Sequence, residues 1–235
     1  MTLLSTRFES FSPEHFGLIG LFLAVFVGLV VYGRRRGDNP RFRRGFAIVI
    51  PCFTLPMQIQ QLTPGEFGLG TSLPLQYCDL AWMLAVYALW TRAPWAFVLT
   101  FFWGLTLTLQ GVITPSLGQE FPEPRYFMFW GMHFLTIWAA GYLTAIGDRP
   151  TWRLYRFTVV VTAAWAGVVM IFNALTDTNY GYLNRKPPGA SLLDALPGWP
   201  AYVVIEIAII AAVWAAMTWA FQTRPQRAKR TSTER

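Results

Sequence analysis

Three kinds of reactive side chain lie within otherwise apolar stretches of this sequence: a thiol, Cys78; an imidazole, His133; and two carboxyls, Asp79 and Glu206. A thiol becomes a useful nucleophile when a nearby base favours the thiolate, and histidine is the usual partner. A carboxyl holding the other ring nitrogen would fix the tautomer of that base, as the third member of a triad does. Asp79 does not automatically fill that place, because successive helical residues point about 100° apart at 3.6 residues per turn. The amides of Gln76, Gln110 and Asn173 are donors suited to a developing oxyanion. Each residue also has a structural alternative. Asp79 and Glu206 can serve as packing groups hydrogen-bonded between helices, His133 as a structural hydrogen-bonder, and Cys78 as a small packing residue. Cys52 and His15 are read as packing and interfacial residues.

The elements that must position these groups follow from composition. Hydrophobic residues make up 54% of the 235 and charged residues 13%, against roughly 25% charged in a soluble domain. Apolar runs fall near residues 15–33, 45–63, 72–91, 95–115, 126–147, 155–175 and 199–221. Each is close to the ~20 residues that cross ~30 Å of hydrocarbon. The runs are continuously apolar, whereas barrel strands alternate. A helix also satisfies its own backbone in lipid. The expectation is therefore an all-α, polytopic membrane helix bundle of about seven transmembrane helices. One transmembrane domain occupies residues 1–223, and a basic cytoplasmic tail follows at 224–235.

Charge sets the orientation. With the first loop inside, cytoplasmic segments collect Arg34, Arg35, Arg36, Arg41, Arg43, Arg44, Arg92, Arg149, Arg153, Arg156, Arg224, Arg227, Lys229, Arg230 and Arg235, which is 15 of the 19 basic residues. Arg7, Arg125, Arg185 and Lys186 remain outside. That asymmetry predicts the N-terminus outside and the C-terminus in the cytoplasm. Because the basic residues flank spans, the pI near 9.8 points to the anionic leaflet and not to nucleic acid. The first span is read as a retained helix, since its charge follows the apolar run and no small-residue cleavage site with a basic n-region is evident. Two intramembrane cysteines support neither a disulfide framework nor a zinc site. No phosphate loop or dinucleotide fingerprint is present, and no metal or cofactor is called for.

Stacking the spans by depth gathers the polar residues. The third span places Gln76, Cys78 and Asp79 four to seven residues below its start, roughly 6 to 11 Å down at 1.5 Å per residue. His133 lies seven residues below Tyr126 and Glu206 seven below Trp199, while Gln58, Gln60, Gln61, Gln110 and Asn173 lie near the ends of spans leaving on the same side. Ionisable residues cost about 2.5 to 3.5 kcal/mol at the centre of an inserted helix and usually face a bundle interior or watery cavity. The layer therefore predicts an outward-facing polar pocket.

The stretch Ser72-Leu-Pro-Leu-Gln-Tyr-Cys-Asp-Leu80, the segments around Trp103-Gly104 and Gln110 to Pro115, His133, and the late run Thr178-Asn-Tyr-Gly-Tyr-Leu-Asn-Arg-Lys-Pro187 with Ser191 to Asp194 and Gly198-Trp-Pro200 resemble the YwaF-like bacterial integral membrane proteins. That group is similar to the vertebrate transmembrane-protein-164 acyltransferases. The resemblance covers roughly residues 45–220 and implies a multi-pass protein of the bacterial cell (inner) membrane whose partners are membrane lipids. It implies an activity as well, lipid acyl transfer or hydrolysis by an intramembrane nucleophile and a histidine, which fall here on Cys78 and His133. Asp79 stands beside them as a catalytic candidate. Gln76 departs from the pattern, because a histidine is expected there and glutamine cannot shuttle a proton. In the expected mechanism Cys78 forms an acyl-thioester, His133 acts as base and then acid, and Gln76, Gln110 or Asn173 meets the oxyanion. Asn179 and Tyr180 lie in an outer loop above the pocket, where Arg185 and Lys186 suit a lipid phosphate; an aromatic and basic interfacial anchor is the alternative for that loop. Two other classes share these residues. A small-solute or proton-coupled transporter would use Asp79, His133 and Glu206 as a relay, and a noncatalytic membrane partner would tolerate their replacement.

Overall fold

The structure, a computed structural model, describes residues 8–115, 117–187 and 191–223; Arg7 and the basic tail 224–235 lie outside them. Among the described residues all regular structure is helical, with seven long helices: α1 Pro13–Arg36, α2 Pro40–Gln61, α3 Tyr77–Thr91, α4 Pro94–Ile113, α5 Pro124–Ala145, α6 Trp152–Thr176 and α7 Ala201–Gln222. Each expected apolar run falls on one of them. Proline opens α1, α2, α4 and α5, at the position where a missing N–H costs nothing. Ser12, Asn39 and Thr151 cap the starts of α1, α2 and α6 with their side-chain oxygens, satisfying donors that have no partner within the helix.

Four helices, α1, α4, α6 and α7, are long and apolar enough to cross a membrane. The other three differ for distinct reasons. α2 begins with Arg41, Arg43 and Arg44 and ends in glutamines. α5 is the central helix, packed by α1, α2, α3 and α4, so its surface meets protein more than lipid and can carry His133 and several aromatics. α3 has 15 residues, about 22 Å at 1.5 Å per residue. Its expected start at residue 72 is corrected here. Residues 72–76 form a bent connection ahead of the helix, because Pro74 disfavours helical geometry in the residue before it. Gln76 is therefore the N-cap, and Cys78 and Asp79 sit in the first turn, not four to seven residues below a helical start.

α4 contains a π-helical stretch, Trp103–Thr108. Such stretches disturb the regular hydrogen-bond ladder, and here Thr106 bonds back to Phe102 O at 2.5 Å. Two tryptophans tie this stretch to the α6–α7 pair: Trp103 Nε1 donates to Thr162 Oγ1 at 2.9 Å and Trp214 Nε1 to Thr106 Oγ1 at 3.0 Å. On the opposite flank α1 packs on α5 through Phe22, Phe134 and Trp138.

The bundle's two ends are built differently. At one, Arg43 pairs with Asp38 at 3.0 Å and donates through Nη1 to Leu89 O and Trp90 O, carbonyls that the C-terminus of α3 cannot satisfy internally. Arg92 pairs with Asp38 at 3.0 Å and Asp148 at 2.6 Å. The hydrogen bonds that Arg92 donates to Asp148 hold the pKa of its guanidinium above the ordinary value. Three interhelical connections are thus joined by ions. The other end is joined by neutral hydrogen bonds and carries the candidate site.

Candidate functional site

At the loop end, residues 62–76, 177–187 and 191–200 fold over the bundle, and most of the polar residues expected in a pocket are spent on building this cover. Asn173, buried near the end of α6, donates to Tyr180 O at 2.9 Å and Asn184 Oδ1 at 3.0 Å, and accepts from Thr178 Oγ1 at 2.9 Å and Tyr180 N at 2.8 Å. Its amide is fully committed. Asn179 binds Arg185 O and the backbone N–H groups of Asn184 and Arg185. Tyr180 is completely buried; its hydroxyl donates to Leu69 O at 2.8 Å and accepts from Leu73 N at 3.1 Å. Burial pushes its phenol up from its ordinary value, so it stays a neutral donor. The two loops are therefore joined through a tyrosine.

Gln76 extends the same joint. Its Oε1 accepts from Gly181 N at 2.9 Å, and Gly181 turns with φ of 66°, a conformation that favours glycine. A Cβ there would lie 2.8 Å from the Trp165 ring. Asp79 accepts from Gln76 N at 3.1 Å, the helix-side half of a capping arrangement, and so holds the turn that carries Cys78. Gln58 donates to Ser72 O at 3.0 Å. Gln60 and Gln110 are exposed. Arg185 pairs with Asp177 at 3.0 Å and remains open to solvent, while Lys186 donates to Leu196 O at 2.7 Å and lies over the Tyr202 ring.

Three reactive groups remain without a hydrogen bond among the described residues: Cys78 Sγ, His133 Nε2 and the Glu206 carboxyl. Cys78 is half-buried against the principal core. His133 is buried, more than two turns into α5. Its Nδ1 lies 2.7 Å from Phe129 O. A carbonyl only accepts, so Nδ1 carries the proton and Nε2 presents its lone pair. The partner that sets the tautomer is thus a backbone carbonyl, where a carboxyl of Asp79 or Glu206 was expected. Nε2 rests on Gly111 of α4, where a Cβ would overlap it. α3 and α5 pack against each other, and no hydrogen bond joins Cys78 with His133.

Glu206 faces a chamber of about 530 Å³, its open mouth included, between α6 and α7. Tyr77, Gly181 and Trp214 share the wall. The Tyr77 ring lies tilted against Trp165 with centroids 3.7 Å apart and meets Trp103 edge-on at 5.5 Å. Sequence reasoning missed these aromatics and Gly111. Tyr77 could have been suspected from its place beside Cys78, whereas nothing in the sequence marks Gly111 as the seat of a histidine.

The model of the TMEM164 family matches residues 10–218, and the chain belongs to that family. No curated protein and no solved structure matches it. Family and apolar helices together make this an integral, multi-pass membrane protein embedded in lipid.

Proposed function

From membership of the TMEM164 family, we propose that this chain is a membrane-embedded lipid acyltransferase or lipid hydrolase with Cys78 as nucleophile and His133 as general base. The observation that carries the reading is the defined tautomer of His133: a buried imidazole with its Nδ1 proton held by Phe129 O and a free lone pair at Nε2.

The step begins as the Cys78 thiol proton passes to His133 Nε2 while Sγ attacks an ester carbonyl carbon. An isolated ion pair among apolar side chains is costly, so proton transfer accompanies attack. The ester C–O bond then breaks, the departing lipid alkoxide takes the proton from His133, and an acyl-thioester remains on Cys78. A lysolipid hydroxyl or water next gives its proton to His133 and attacks the thioester, releasing the thiol. Asp79 and Gln76 act by holding the first turn of α3, and Asn173, Asn179 and Tyr180 by holding the cover above it. Gln110, exposed near the end of α4, and the side-chain NH2 of Gln76, whose Oε1 alone is engaged among the described residues, are amides free to donate to an oxyanion, and Arg185 is open to a lipid phosphate.

The same reading makes each long helix a membrane crossing, seven in all, with the ion-joined basic end in the cytoplasm of a bacterium of YwaF-like type. The supporting observation is that Arg43 and Arg92 join the connections at that end, with Arg44 over the Trp90 ring and Arg149 next to Asp148 in the chain.

A thiol-reactive lipid-like probe tests the chemistry. Cys52 is exposed on the outside of α2, so the reference protein is Cys52→Ala. Labelling should vanish in Cys52→Ala/Cys78→Ala and fall at least about tenfold, or ~1.4 kcal/mol of barrier, in Cys52→Ala/His133→Gln. Equal labelling of the reference and the His133 variant, both folded by circular dichroism, would defeat the acyl-enzyme reading.

A further inference from the structure

The chamber between α6 and α7 has a polar group that neither the cover nor the proposed acyl transfer uses. Glu206 lies on its wall without a hydrogen bond or ion pair among the described residues, and the surrounding surface is otherwise mostly Val159, Ala163, Ile207 and Ile210. The cation on the adjacent loop, Lys186, is bonded to Leu196 O and placed over Tyr202, so it does not neutralise the carboxylate. An unpaired carboxylate in such surroundings is expensive, and a cation delivered by a ligand removes that cost. Tyr77 and Trp214 are on the same wall, and aromatic rings of these types attract cations. About 60 Å³ of the chamber is open to water-sized groups, room for a small cationic head, with each water needing roughly 10–15 Å³, and the aliphatic wall at its open mouth suits a hydrocarbon chain.

We infer that this chamber binds an amphiphile whose polar end is a single ammonium group, with Glu206 as counter-charge, Tyr77 and Trp214 as ring contacts, and the aliphatic wall of α6 and α7 around the chain. The inference is independent of acyl transfer, because it needs no reaction at Cys78. Phosphate-bearing headgroups without an ammonium are disfavoured by the same carboxylate.

Calorimetric titration of the purified full chain in uncharged maltoside micelles tests this, with decyltrimethylammonium, decanol and decyl sulfate as probes. The ammonium probe should bind saturably and about tenfold or more tighter than decanol, the margin expected of a desolvated ion pair with ring contacts, and decyl sulfate should not bind. Glu206→Gln should abolish the preference for ammonium over alcohol, while Glu206→Asp should keep most of it. Equal affinity for decyltrimethylammonium and decanol in wild type would overturn the proposal and make Glu206 an uncharged packing group. A preference unchanged in folded Glu206→Gln would overturn it too. The wild-type comparison stands by itself if the variant fails to fold, and Cys78→Ala should bind as wild type does, which separates this site from the acyl-transfer reading.

Discussion

The two ends of this bundle solve the same problem, joining helices across short connections, with opposite chemistry. The basic end uses two arginines, two aspartates and the exposed carbonyls of α3. The loop end uses Asn173, Tyr180 and Gln76, all neutral. Ion pairs at an aqueous rim are adjustable and weak, whereas a saturated network of buried neutral bonds holds one geometry. The reactive groups lie beside the end that holds one geometry.

The comparison can be broken in several ways. The largest effect is expected from Asn173→Ala, which strips four hydrogen bonds and leaves buried Tyr180 N–H unpaired; the loss should be about 3 kcal/mol, read as a fall in thermal midpoint that added salt does not change. A loss no larger than that of Asp38→Ala would mean the cover is not the rigid end. Next comes Gly111→Ala. Its Cβ overlaps the seat of the His133 ring, and overpacking of this kind costs about 2 kcal/mol. Probe labelling of Cys78 should fall with it, and unchanged labelling would show that the ring's seat on α4 does not matter to the chemistry.

Arg43→Met removes the donor that serves Leu89 O and Trp90 O and should cost about 1.5 kcal/mol, by chemical denaturation in micelles. The smallest effect belongs to Arg92→Gln. Its pairs with Asp38 and Asp148 are partly exposed, so under about 1 kcal/mol is expected, and this loss should shrink further at high salt as exposed charges are screened. A salt-independent loss at Arg92, or a salt-dependent one at Asn173, would reverse the assignment of ionic and neutral ends.

Much of the architecture was legible because lipid imposes it. A segment that crosses hydrocarbon must be helical and apolar over a set length, so α1, α4, α6 and α7 stand out in the sequence, and Pro40, Pro94 and Pro124 mark helix starts by removing a donor where none is needed. The pairing of His133 with a Cys78-type nucleophile was proposed from residue type and depth. The depth argument failed for α3, however, since Pro74 delays the helix to Tyr77 and turns Gln76 and Asp79 into the groups that start it.

What the sequence by itself determined was where apolar length and charge fall, because those properties are sums over a segment and do not depend on neighbours. Which polar groups are free was decided only by tertiary structure, because a hydrogen bond consumes a donor or acceptor and its partner is usually far along the chain. Asn173 and Glu206 look equally available in the sequence. In the fold, Asn173 is saturated by the loop at 178–184, and Glu206 is left facing a chamber that α6 and α7 form only when they pack.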